Sequence, residues 1–362
     1  MRQTASEPAA IPRLDARRLA SDEWRALAAG APGALLGGVA YGLAGREDGV
    51  AKGDGAAGQS SAPPLACVNA PLIGPSLPRV DAWLTGARLV EGRSGAVRWR
   101  HDGHWLFGAL ALDESESAPN GLAALTRRAY GDVFESLRAT GCRHLVRMWN
   151  YLGAINDESG GLERYRQFNL GRHDAFVDAG LARGEGAPAA CALGTPGGPL
   201  CVCFIAAREK PVAIENPRQV PAWRYPIDYG PRSPTFSRAA LAGAGDGRVA
   251  LFISGTASIV GHASVYAGDI EAQTREILAN LRAVVAATRR RCSAPFELGT
   301  LELTGYVRDA GHAQQVLRIL ATEMGADSPA VRNALLVEAA ICRTELLVEI
   351  EAYGFAPGVL RR

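Results

Sequence analysis

The chain has 362 residues, 48% of them hydrophobic and 21% charged, which excludes an intrinsically disordered protein and leaves room for two domains with separate cores. With 39 Lys and Arg against 37 Asp and Glu, the formal net charge of +2 gives no electrostatic ground for binding nucleic acid or an acidic membrane surface. No apolar run reaches the roughly 20 residues that span a bilayer, and "MRQTASEPAAIPRLDARRLA" lacks a hydrophobic signal core, so a cytoplasmic protein is expected.

Residues 45–64, "GREDGVAKGDGAAGQSSAPP", are poor in apolar side chains and read as a loop or linker, which sets off an N-terminal segment 1–64. The remainder is organised by a weak internal repeat, giving an N-terminal domain 65–215 and a C-terminal domain 216–362. The first copy opens with the strand "HWLFGALAL" (104–112) and a helix over 122–140, with Leu125, Ala129, Val133 and Leu137 on one stripe. It continues with the strand "HLVRMWNYL" (144–152), a helix over 161–180 and the strand "PLCVCFIAA" (199–207). The second copy opens with "RVALFISGTASIV" (248–260) and a helix over 269–290, with an acidic residue placed to cap it. The strand "GTLELTGYVRD" (299–309), a helix over 310–324 and the strand-like "RNALLVEAAICRTELLVEIEAYG" complete it. The fold class is α+β, each half a mixed sheet with helices on one face.

Seven cysteines are present without any C-x-x-C, and Cys201 and Cys203 read as small core hydrophobes on a buried strand. His101 and His104 lack the neighbours that would complete a ligand set, so no metal site is predicted. The closing segment "CRTELLVEIEAYG" places Leu346, Val348, Ile350 and Ala352 on one strand face. Glu345, Glu349 and Glu351 fall on the other, which is therefore either solvated or part of a site that needs an acid.

The second half resembles the RidA/YjgF superfamily, through "SGTASIV", the helix "GDIEAQTREILANLRAVV" and the closing "ELLVEIEA". The first half narrows the resemblance. "LVRMWNYLGAIN", "GLERYRQFNLGRHDAF", "ENPRQVPAWRYPIDYGPRSPTFSRA" and "ICRTELLVEIE" together look like the chorismatases. The resemblance implies two RidA/YjgF-like domains and removal of pyruvate from chorismate without metal or organic cofactor. Chorismate carries two carboxylates and an enol ether, so its site needs fixed cations and one group able to protonate the enol-ether methylene.

The resemblance makes Glu349 the acid/base residue. Glu345 and Glu351 are expected to face solvent, with Glu351 a like-charge neighbour able to tune Glu349. The candidate substrate-binding arginines are Arg147, Arg166, Arg172, Arg218, Arg232 and Arg343, of which two or three are expected to touch ligand. Arg166 and Arg172 lie six apart, which on one helix places them on different faces, so one of the two is expected at the ligand. Arg343 has the opposite strand parity from Glu349 and needs a bend or bulge to share its pocket. Trp149, Tyr151 and Tyr165 supply amphipathic walls, and the prolines around Arg232 describe a rigid loop suited to binding.

Chorismatases differ in the step that completes the reaction once the side chain is lost: water attack gives a dihydroxycyclohexadiene carboxylate, whereas displacement by the substrate's own hydroxyl gives a hydroxybenzoate. In the resemblance, Gly255 and Cys342 mark the 3-hydroxybenzoate type, Gly255 by leaving the ring room to shift. 4-Hydroxybenzoate and the diene diol remain alternative products, and a non-catalytic or enamine-hydrolysing RidA-type binding protein is the alternative from another class. The sequence leaves open whether the protein is a monomer or a homo-oligomer.

Overall fold

A computed structural model describes residues 10–361 apart from 43–61, 75–77, 118–120, 182, 183 and 185. Most of the stretch 45–64 read as a linker thus lies outside the described residues. Among the described residues, no helix is long and apolar enough to cross a membrane.

The first sheet is built from β1 (Leu14–Ala20), β2 (Leu35–Tyr41), β3 (Leu65–Val68) and β4 (Arg79–Thr85), with α1 (Ser21–Gly30) between the first two strands. The second comprises β5 (Val90–Ser94), β6 (Val97–His101), β7 (Trp105–Leu112) and β8 (His144–Gly153), with α2 (Gly121–Thr140) leading into β8. A short hairpin, β9 (Glu158–Ser159) and β10 (Leu162–Glu163), precedes α3 (Arg164–Asp178), and β11 (Ala189–Thr195) and β12 (Leu200–Ala207) complete this unit. The third unit runs β13 (Val212–Ile214), β14 (Ala239–Gly243), β15 (Arg248–Ala257), the hairpin β16 (Ile259–Val260) and β17 (Ala263–Ser264), then α4 (Ile270–Thr288). It ends with β18 (Glu302–Val307), α5 (Ala313–Met324), α6 (Pro329–Arg332), β19 (Leu335–Glu338) and β20 (Val348–Pro357).

The two six-stranded sheets have orders β11-β8-β12-β7-β6-β5 and β13-β14-β15-β20-β18-β19. Read from opposite ends these are one topology: β11 corresponds to β19, β8 to β18, β12 to β20 and β7 to β15. In both, only the pair at that end is parallel. The architecture is α+β, with two RidA/YjgF-like units as expected. The four-stranded sheet, order β1-β4-β2-β3, repeats the strands β7, β12, β8 and β11 of that topology, again with its last pair parallel. It is a third, truncated copy that the sequence reading missed, and a boundary at residue 64 cuts through it. Its helix is only ten residues long and "LLGG" at its second strand offers little periodic signal.

Each sheet buries one face under its own helices. Trp24 of α1 packs on Leu35, Ala40, Val80 and Leu84; Leu125, Ala129, Val133 and Leu137 of α2 form the expected stripe on the second sheet. Ile277, Leu281 and Val284 of α4 meet Val348, Ile350 and Ala352 of β20. Asp269 caps α4, its side chain accepting from the Ala272 N–H at 2.9 Å. The opposite faces of all three sheets meet in one shared interior containing Trp83, Tyr151 and Tyr306. That arrangement decides the fate of the closing strand, because both faces of β20 are buried from Val348 to Gly354.

Candidate active site

A cavity of about 290 Å³ opens between the second and third sheets, at the small end of the range that holds small ligands. β11 contributes Ala190, Cys191 and Ala192, and α3 contributes Tyr165 from its first turn together with Arg166 and Arg172. The other wall is made by Gly255 and Ala257 of β15, Glu349 of β20, Arg238, and the loop carrying Cys342 and Arg343.

Glu349 is 4% exposed and lies opposite Ala257 on one neighbouring strand and Tyr306 on the other. Burial, reinforced by the carboxylate of Glu351, pushes its carboxyl up to about 8, against the opposing pull of Arg147 and Arg238. A carboxylic acid held protonated near neutral pH is the group a proton donation to carbon requires.

Its position depends on Gly255. The register of β15 against β20 shifts between Ile253 and Thr256, a bulge on the strand beside the acid. Ser254 fastens that bulge: its Oγ accepts from the Ala190 N–H at 2.8 Å and donates to the Ser237 carbonyl at 2.5 Å. A Cβ on Gly255 would stand 1.8 Å from Glu349 Oε1 and 3.1 Å from Cys191 Cβ. The space freed by the missing methyl is therefore occupied by the acid itself, and is not the room for the ring to shift that the resemblance implies.

Four arginines line the cavity. Arg172 is 2% exposed; its Nη2 donates to Asn169 Oδ1 at 2.7 Å, its guanidinium lies 5.0 Å over the Phe168 ring, and its Nε is buried without a partner. Arg238 donates through Nη2 to the Tyr225 hydroxyl at 2.7 Å and the Val220 carbonyl at 2.9 Å, and its Nε is likewise buried and unpartnered. Nearer the mouth, Arg166 is tethered to Glu163 and to the Asp228 carbonyl, both at 3.2 Å. Arg343 donates to the His262 carbonyl and Ser264 Oγ at 3.0 Å and lies 3.9 Å over the Tyr229 ring. Two buried guanidiniums with spare donors suit a dianionic ligand.

The sequence expectations fare unevenly at this site. Arg166 and Arg172 both line the cavity, because the ligand space wraps the start of α3 and is wider than a single helix face. Arg343 reaches it without any bulge of its own: β20 begins only at Val348, and residues 342–347 form a loop free of strand parity. Cys342 lines the cavity, its thiol pushed up by burial to about 12. Tyr165 is also on the wall. Arg147 and Tyr151 lie behind the wall: Arg147 pairs with Glu351, and the Tyr151 hydroxyl meets that of Tyr306 at 2.8 Å. Glu345 is exposed at the mouth, but Glu351, expected in solvent, is 6% exposed because the opposing sheet covers it. Arg218 is drawn away to Glu276 of α4 at 2.8 Å, and Arg232 donates to the Pro231 carbonyl at 3.3 Å. Neither lines the cavity. Arg238 was overlooked, although it closes the same segment "PTFSRA" and directly precedes a buried strand.

Fold and cavity together define a duplicated RidA/YjgF-like protein with a buried acid in a cation-lined pocket between its two large units. A family model described as "Chorismatase FkbO/Hyg5-like, N-terminal" matches residues 81–206. A 3-hydroxybenzoate synthase of Streptomyces hygroscopicus is 36% identical over 293 residues, covering 76% of this chain and 81% of that protein. A chorismatase of Streptomyces rapamycinicus is 36% identical over 282 residues, covering 75% and 80%. A crystal structure of a chorismatase superposes with a TM-score of 0.79 at 29% identity, covering 96% of this chain and 99% of the other. The chain belongs to the chorismatase family.

Proposed function

We propose that this protein converts chorismate to 3-hydroxybenzoate and pyruvate, with Glu349 as the catalytic acid. The observation that carries the reading is the Glu349 carboxyl, buried on the cavity wall and held protonated to about pH 8 amid four arginines. Arg172 and Arg238, with their spare Nε donors, are assigned to the substrate carboxylates, and Arg166 and Arg343 to the mouth through which a dianion is drawn in.

Glu349 donates its proton to the methylene carbon of the enolpyruvyl group, which becomes a methyl. The ring hydroxyl beside the ether then forms a bond to the ether-bearing ring carbon as the carbon–oxygen bond to the side chain breaks. Pyruvate departs with the ether oxygen as its keto oxygen, and the hydroxyl proton returns to the Glu349 carboxylate. The bond from the bridging oxygen to its original ring carbon then breaks, the hydrogen of the former ether carbon shifts to that carbon, and one of the two hydrogens there leaves as a proton while the oxygen takes one up, which aromatises the ring. The two products contain together all the atoms of chorismate, so the balance needs no co-reactant. Gly255 and Cys342, which resemble the 3-hydroxybenzoate type, and the name of the 3-hydroxybenzoate synthase relative support this product over the diol.

The test is incubation of the purified protein with chorismate, following pyruvate by a coupled dehydrogenase assay and separating the aromatic products by chromatography. Pyruvate formed in step with 3-hydroxybenzoate is expected. Absence of pyruvate would favour a binding protein, and a dominant diene diol would overturn the product assignment.

A further inference from the structure

The proton transfer makes no use of a second buried carboxylate that stands two residues from the acid. Glu351 projects from the same inner face of β20 and is 6% exposed. It is held by the opposing sheet of the other unit: Arg147 of β8 donates through Nη2 to its Oε2, and Trp149 Nε1 donates to its Oε1 at 2.9 Å. The Arg147 guanidinium also lies 4.9 Å over the Trp149 ring, so both donors are fixed relative to one another. A buried ion pair is a poor way to gain stability, since desolvating two charges offsets most of their attraction. One placed directly behind a catalytic acid calls for another explanation.

We propose that Glu351, clamped by Arg147 and Trp149 across the interface between the two large units, is a positioning residue that keeps Glu349 in its proton-bearing state. The inference rests on the reading of Glu349 as proton donor. Without Glu351, the Arg147 cation would face the acid unopposed and favour its ionised form; with it, the guanidinium is turned to another carboxylate. The groups that act on Glu349 come from every side: Glu351 on its own strand, Arg147 on β8, Cys191 on β11, Arg238 ahead of β14 and Cys342 on the loop before β20. Among the described residues, the charge of Glu351 opposes ionisation of Glu349, while those of Arg147 and Arg238 favour it. A substrate carboxylate on Arg238 would cancel that cation, leaving Glu351 to prevail at the moment the proton is needed. After the transfer, the same repulsion favours recapture of a proton by Glu349.

The experiment is the pH profile of kcat for Glu351→Gln beside the wild type and Glu349→Gln. The alkaline limb, where a protonated Glu349 is lost, is expected to move about one pH unit or more toward acid in Glu351→Gln, with activity largely retained below it. A purely structural role would lower activity evenly at all pH values and leave the limb in place, and that result overturns the inference. If Glu351→Gln fails to fold because Arg147 is left unpaired, the Arg147→Gln/Glu351→Gln double variant is compared with Arg147→Gln, which differs from it only in keeping Glu351: the limb of the double variant should lie to the acid side, and coincident limbs would again refute the inference. A measurement on the unaltered enzyme is independent of either variant: its infrared spectrum at pH 7 should contain a protonated-carboxyl band that Glu349→Gln lacks, and no such band would refute the proposal. Full turnover in Glu349→Gln would instead strike at the donor assignment, whereas an inactive Glu349→Gln with an unmoved limb in Glu351→Gln would strike only at this one.

Discussion

Gly255→Ala tests how tightly the acid is placed. The added Cβ would lie 1.8 Å from Glu349 Oε1, so the carboxyl has to withdraw by about 1.5 Å or more to reach ordinary van der Waals contact. The obstructing atom is the far end of a rotatable side chain. The change should therefore be absorbed with no more than about 1–3 kcal/mol of overpacking, and the protein should still fold. Function is another matter, since a misplacement of about 1 Å in a reacting group can cost roughly 100-fold. Turnover of chorismate should fall by about 100-fold, or the product should change from 3-hydroxybenzoate toward the diol as the displaced acid protonates from a new angle. Both are read from one assay, with pyruvate followed continuously and products separated by chromatography, and a thermal melt as the folding control. A well-folded Gly255→Ala enzyme with wild-type turnover and products would refute the argument that the glycine exists to seat Glu349.

Glu349→Gln should lower kcat by about 100-fold or more with KM changed only several-fold, because the amide keeps the shape and loses the proton. Because the Glu349 carboxyl is raised from 4.5 to about 8 in the fold, wild-type activity should be present at neutral pH and decline as pH rises through about 8. The same shift has a stability sign: folding favours the protonated acid, so its contribution is full below 4.5 and is lost as pH rises toward about 8. Thermal melts at pH 9 should accordingly find Glu349→Gln more stable than the wild type, while at pH 4 the two should nearly coincide. Arg238→Lys removes the spare Nε donor and the planar fork; with charge-assisted hydrogen bonds worth about 1.5–3 kcal/mol, KM for chorismate should rise about 10- to 100-fold in steady-state kinetics.

The helical stripes of α2 and α4, the apolar strands β7, β8, β12 and β15, and the duplication itself were legible because each rests on local periodicity in which side chains of one element share a face. The resemblance of four separated motifs then pointed to Glu349 and to the segments bearing the arginines. It identified segments better than individual positions: within "ENPRQVPAWRYPIDYGPRSPTFSRA" it favoured Arg218 and Arg232, yet Arg238 is the side chain that lines the cavity. Composition and spacing cannot show which of the segment's four arginines a loop turns inward, because that depends on partners such as Tyr225 and Glu276, distant in the chain from one or another of them.

By itself, the sequence determined the α+β class, the order of the main helices with β7, β8, β12, β15 and β18 in the two large units, and a carboxylate-bearing closing strand, since these arise from patterns repeated within a few residues; β5, β6, β11, β13 and β14 were not among them. Tertiary structure alone decided that the carboxylate face of β20 is dry. Alternation along a strand says which side chains share a face, but not what covers that face. Here a second sheet does, bringing Arg147 and Trp149 onto Glu351, more than 200 residues away along the chain. The same long-range packing joined residues 14–41 and 65–85 into a third sheet and drew Glu349 into the notch at Gly255. A buried charge is set by the groups that replace its water, and those groups come from parts of the chain that no local pattern connects.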